Sequence, residues 1–127
     1  MKEPLTAGEW IVMNALWEKA PQTLSEVIKT IGNKAQWKYT TYASYLQILM
    51  RKGFVDAEMR GRDKFYYPLT DRGECIEMES ASVVGKVNKS SMKTLVMNMI
   101  EKSDFTPDDH AELISLLETL MEKGERK

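Results

Sequence analysis

Within the first 68 residues the apolar pattern changes period at Gly53, and that switch limits what the first half can fold into. Before it, apolar residues recur at helical spacing in three short stretches; after it, they alternate. Thr6-Ala7-Gly8-Glu9 has the form of a capping box, a hydroxyl for an orphan N–H and a carboxylate three residues on. Trp10, Met13, Leu16, Trp17 and Ala20 follow, which predicts an amphipathic helix over residues 7–19, ended by Pro21. Thr23-Leu24-Ser25-Glu26 is a second box, and Leu24, Val27, Ile28 and Ile31 predict a short helix closed by Gly32. A third helix is expected from about Tyr39 to Lys52, with Tyr42, Leu46 and Leu49 inward and Gly53 as a left-handed cap. Val55, Ala57 and Met59 then alternate with Asp56, Glu58 and Arg60. Beyond a polar tip of Arg60-Gly61-Arg62-Asp63, Lys64-Phe65-Tyr66-Tyr67 is strand-like and Pro68 ends it. Three short helices followed by a basic-tipped hairpin is the element order of a winged helix-turn-helix.

The rest of the chain is helical in pattern, so the fold class is mainly α with one small β-hairpin. A weakly patterned helix is expected over residues 71–87, loosening around Gly85-Lys86-Val87-Asn88. Met92, Leu95, Val96, Met99 and Ile100 mark the next helix. The last has Thr106 as N-cap, Pro107 at its first position, and Asp108 and Asp109 in its first turn. Leu113, Leu116, Leu117, Leu120 and Met121 line one side of it, and Gly124 is expected to end it. The expected division is a winged-helix DNA-binding domain over 1–70 and a helical dimerisation domain over 71–127.

Charge divides along the same line. Residues 1–73 hold eleven basic side chains against eight acidic ones, and residues 74–127 hold seven against eleven. Within 29–64, eight basic residues face three acidic ones, a distribution suited to phosphate contact in the first half only. The single cysteine, Cys75, cannot form an internal disulfide, and no apolar run reaches the length of a membrane span. A cytoplasmic location without membrane insertion is expected. One histidine, His110, and one cysteine cannot assemble a metal site of several imidazole or thiolate ligands. No phosphate loop, nucleophile elbow or dinucleotide fingerprint occurs, so no enzyme, no metal and no cofactor is expected.

With Tyr42, Leu46 and Leu49 inward, a turn of about 100° per residue points Thr40, Ser44, Gln47 and Arg51 outward. Thr41, Ala43 and Ile48 lie on the flanks. In a helix-turn-helix such a face enters the major groove of double-stranded DNA. Thr40, Thr41, Ser44 and Gln47 are therefore the candidate base readers, and hydroxyls, an amide and apolar groups together suit a site containing A·T pairs. Lys38 and Tyr39 at the helix start, Arg51 at its end, and Arg60, Arg62 and Lys64 on the hairpin are the candidate phosphate contacts. Exposed hydroxyl and β-branched residues are mediocre helix formers, so stability does not ask for them here.

The apolar stripes of the last two helices need a partner, because helices this short are stable only when such a face is packed. Leu95, Val96, Met99, Leu113, Leu116, Leu117 and Leu120 are the candidate contacts. A second copy of the chain supplies the two-fold symmetry that a palindromic site demands; packing within the chain is the alternative. Two other functional classes stay open at this point. One is a winged-helix protein-interaction module; the other is a one-component repressor that senses a small ligand.

Over nearly its whole length the chain resembles the penicillinase-repressor (BlaI/MecI/CopY) family of bacterial transcription regulators. Leu5-Thr6 through Met13 and Leu16-Trp17 are similar to the family's first helix. Thr41-Tyr42-Ala43-Ser44-Tyr45-Leu46, with Leu49, Lys52 and Gly53, is similar to its recognition helix, and Gly61-Arg62 with Tyr66 and Pro68 to its wing. The resemblance implies a homodimeric repressor of a palindromic operator. It also implies, as in the antibiotic-resistance members, an integral-membrane sensor protease that triggers cleavage in the dimerisation region. The comparable stretch is Val96-Met97-Asn98-Met99, with the Asn98–Met99 bond in the place of an Asn–Phe bond. Copper-sensing members carry a C-terminal cysteine cluster, and no cysteine follows Cys75 here. Many relatives are basic at the positions of Ala43, Gln47 or Ile48, where this chain is not.

Overall fold

The computed structural model describes residues 3–125. Two compact units divide after Gly85. The first holds helices α1 (Ala7–Glu18), α2 (Leu24–Ile31) and α3 (Tyr39–Lys52), strands β1 (Val55–Arg60) and β2 (Asp63–Pro68), and helix α4 (Arg72–Val84). Both expected capping boxes form: Thr6 and Thr23 accept from the N–H of Glu9 and Glu26, whose carboxylates accept from the cap N–H in return. α3 has the expected bounds, and Gly53 stops it with a φ of 87°, a conformation costly to a residue with a Cβ. Among the described residues the winged-helix order of elements is complete.

The core of this unit lies where α1, α2, α3 and the base of the hairpin converge. Val12, Met13, Leu16, Val27, Ile31, Leu46, Leu49 and Phe54 are buried there, and Trp37 and Tyr45 pack around them. Two polar devices lock the packing. The buried Gln22 donates its amide to the carbonyls of Ala15 (2.9 Å) and Lys19 and accepts from Thr30 Oγ1 at 2.7 Å. Its backbone exchanges hydrogen bonds with Tyr66, adding a one-residue bridge to the hairpin. Across the unit, Lys52 Nζ donates to Glu9 Oε1 at 2.7 Å and to the Pro4 carbonyl at 2.9 Å, tying the end of α3 to the start of α1. Burial alone would raise the Glu9 pKa; the hydrogen bonds from Lys52 and Thr6 outweigh it and hold the carboxyl below its usual range.

Several sequence expectations are corrected. α1 ends at Glu18, so Ala20 lies beyond it and is exposed. Met59, expected inward with Val55 and Ala57, is 62% exposed because the hairpin projects past the core at its tip. Pro68 ends β2 as expected, as its last residue and paired with Val55, whereas the strand begins one residue earlier than Lys64, at Asp63. By compactness the first unit runs on to Gly85, with Cys75 on α4 buried in its core and Met78 packed beside it.

The second unit contains α5 (Lys89–Lys102) and α6 (Pro107–Glu125). Asn88 caps α5 through the Ser91 N–H, and Thr106 and Asp109 cap α6 reciprocally. Gly124 does not end α6, which continues to Glu125. No helix among the described residues is long and apolar enough to cross a membrane.

Candidate nucleic-acid interface

What holds α3 in place begins just upstream of it. Tyr42 donates its hydroxyl to the Ala35 carbonyl at 3.1 Å and accepts from the Trp37 N–H at 3.3 Å. The Trp37 ring lies 4.6 Å from that of Tyr45 and 5.1 Å from that of Tyr42, centroid to centroid. Tyr45 in turn occupies the space above Gly8 of α1, where a Cβ would stand 2.2 Å from its hydroxyl. The turn into α3 is thus fixed from both sides. Opposite these contacts, Thr40, Ser44, Gln47 and Arg51 are exposed and Thr41, Ala43 and Ile48 half-buried, which is the face that helical periodicity predicts.

α3 also differs at its start. Thr6, Thr23, Asp71, Asn88 and Thr106 cap the other α-helices through side chains, whereas Lys38, the N-cap of α3, makes no side-chain cap bond. The Thr41 N–H donates to the Lys38 carbonyl at 2.9 Å, and no N-cap side chain covers the positive end of the α3 dipole.

The hairpin turns in two residues, Gly61-Arg62, with Arg60 paired to Asp63. Gly61 takes a φ of 66° while Arg62 stays in the ordinary region, the pattern of a type II′ turn. That register sorts the expected phosphate contacts. Arg62 and Lys64 line a cleft with Thr23, Leu24, Ser25, Tyr39, Tyr66 and the acidic Asp63, between the start of α2, the start of α3 and the wing. Burial, with the Tyr39 phenol adding to it, pushes the Tyr66 hydroxyl up, so it stays a donor at neutral pH. Arg60 is not with them. It lies on the other face of the hairpin, ion-paired with Glu58 at 2.6 Å and stacked over Phe65. Thr23 and Ser25 belong to the cleft but were legible in the sequence only as the beginning of a helix.

In the second unit Leu95 and Leu113 are half-buried, whereas Val96, Met99, Leu116, Leu117 and Leu120 are exposed. Val96, Met99, Ile100, Phe105 and Leu113 line one apolar depression. Asn98 and Met99 are exposed within α5. Among the described residues, no three His, Cys, Asp or Glu side chains cluster as a metal site would require.

A sequence model of the family described as penicillinase repressor matches residues 5–119. The chain belongs to the penicillinase repressor family. Family relatives include the methicillin resistance regulatory protein MecI of Mammaliicoccus sciuri, 29% identical over 113 residues that cover 89% of this chain and 92% of that protein. The penicillinase repressor of Bacillus licheniformis is 26% identical over 114 residues, covering 90% and 89%. Among solved structures, the Bacillus licheniformis BlaI monomeric form, in complex with the blaP half-operator, superposes with a TM-score of 0.51 at 26% identity. It covers 58% of this penicillinase-repressor chain and 90% of the BlaI chain, so the likeness includes the winged-helix fold.

Proposed function

We propose that this chain is a cytoplasmic transcriptional repressor that binds a palindromic operator as a homodimer. The observation that carries it is the outward face of α3, where Thr40, Ser44, Gln47 and Arg51 stand exposed behind an N-terminus that no side chain caps. A helix so presented fits the major groove, with Thr40, Thr41, Ser44 and Gln47 at base edges. Lys38, Tyr39 and Arg51 on α3, and Arg62 and Lys64 from the wing, meet the flanking phosphates. Arg60 joins them only by giving up its pairing with Glu58. Family membership and the DNA-bound BlaI relative support the same assignment.

Dimerisation is assigned to α5 and α6, whose apolar side chains lack cover. So many exposed apolar side chains on a small helical pair suit a partner surface, and a second copy satisfies both it and the two-fold symmetry of an operator. Release by a membrane sensor protease, as the resemblance implies, would require α5 to unwind around Asn98 and Met99, since both lie inside the helix.

The test is fluorescence anisotropy with DNA from upstream of the protein's own gene, across a salt series, with random DNA as control. Two protomers on a palindromic site with a steep salt slope are the expected result. Equal affinity for both DNAs would overturn operator recognition and leave a protein-interaction module as the assignment.

A further inference from the structure

Two apolar side chains that flank the outward face of α3 are not accounted for by the core. Ala43 and Ile48 are half-buried, yet among the described residues neither belongs to the apolar set packed against the core, which does include their neighbours Tyr45 and Met50. Instead they line a shallow depression with Tyr39, Thr40, Ser44 and Gln47. Isoleucine is a poorer helix former than leucine or alanine, so helix stability does not call for Ile48 at a surface position.

That depression holds no lysine, arginine, aspartate or glutamate. Bidentate recognition of guanine needs arginine or lysine, and α3 offers none between Lys38 and Arg51. What remains is the Gln47 amide, which matches the N6 and N7 edge of adenine, and two apolar groups, which match the C5-methyl of thymine. These are the two halves of an A·T pair as the major groove presents them. We propose that Ala43 and Ile48 form a receptor for thymine C5-methyl groups, with Gln47 beside them on adenine, so that A·T pairs at the α3 contact select the operator half-site. The proposal rests on α3 being the DNA-reading helix and deepens that assignment.

The experiment uses the full-length protein and the tightest duplex it selects from a random pool. Each thymine of that duplex is replaced in turn by deoxyuridine, which removes the methyl group alone. Binding should weaken about fourfold at one or two positions in each half-site, the equivalent of one buried methyl, and stay unchanged elsewhere. In Ile48→Ala, which makes no core contact, the melting temperature should hold while sensitivity at its own position disappears. A selected duplex at which every deoxyuridine is neutral, or a sensitivity that persists in Ile48→Ala, overturns the methyl receptor but leaves α3 as the reading helix. A pool that yields no preferred sequence overturns both.

Discussion

Replacing Lys52 by methionine keeps the aliphatic stem and removes the charge that holds Glu9. In the native unit the pair is 2.7 Å apart with side chains 9% and 3% exposed, so the orphaned carboxylate would be left with the Thr6 N–H, which donates to it at 2.8 Å. Breaking a buried pair from one side typically costs about 3–5 kcal/mol. Glu9 has an escape, because it can take up a proton instead. From an unfolded pKa near 4.3, that costs about 3.7 kcal/mol at pH 7, which caps the loss. The expected destabilisation is therefore about 3 kcal/mol at pH 7. Its sign with pH follows from the two folded states. In the native protein the Glu9 pKa is lowered, so its contribution is complete above the unfolded pKa and fades as pH falls through the folded one. In the variant only Thr6 still opposes the burial that disfavours the ionised form, so the penalty fades as Glu9 protonates. The gap between the two proteins should close to under about 1 kcal/mol by pH 4. Urea melts followed by tryptophan fluorescence suit this, since Trp10, Trp17 and Trp37 all lie in the first unit. Protomer concentration must be fixed and Glu9→Gln/Lys52→Met run as the cycle partner. A loss under about 1 kcal/mol at pH 7, or one that ignores pH, would refute the argument that the pair is buried and coupled.

Arg62→Ala should weaken binding to all DNA and reduce the salt slope by about one, whereas Arg60→Ala, already paired to Glu58, should change the slope by less. Equal slopes for the two would contradict the sorting of the wing's charges by its register. Leu117→Glu should raise the dimer dissociation constant by on the order of a hundredfold, as an unpaired charge forced into an apolar contact does, and sedimentation measures it. A dimer of unchanged stability would place the interface elsewhere. Gly8→Ala normally gains up to about 1 kcal/mol in a helix; here it should lower the melting temperature, because the new methyl displaces the Tyr45 ring from Trp37.

Those features that depend on a few neighbouring residues were legible in the sequence. Thr6 and Thr23 announce their helices because a capping box closes within four residues, and Gly53 stops α3 where periodicity fails. The outward face of α3 followed from its inward stripe, since a helix has fixed pitch. Features built by distant residues were not legible. Glu9 and Lys52 are 43 positions apart, and nothing local marks either as a partner. Gln22 lies in what reads as a polar turn, and only the convergence of α1, α2 and β2 shows it to be buried. Cys75 gave no sign that α4 joins the first unit, because its helix is weakly patterned and contributes one fully buried side chain. Arg60, Arg62 and Lys64 formed a single basic tip in sequence, and only the two-residue turn assigns them to faces.

That turn has a consequence for how the hairpin tolerates changes in length. Tyr66 is anchored by its bridge to Gln22, and Val55 by burial, so the base of the ribbon cannot slide. Any insertion or deletion must be absorbed between them. Adding residues in twos preserves parity, leaving Lys64 beside Tyr66 and Glu58 beside Arg60. Losing one residue between Lys64 and Tyr66 reverses parity on that arm and turns Lys64 to the outer face, away from the cleft that it now lines. The cleft would then lose its lysine, although no contact in the core had been lost. Over evolutionary time the wing is free to lengthen by even steps and constrained against odd ones.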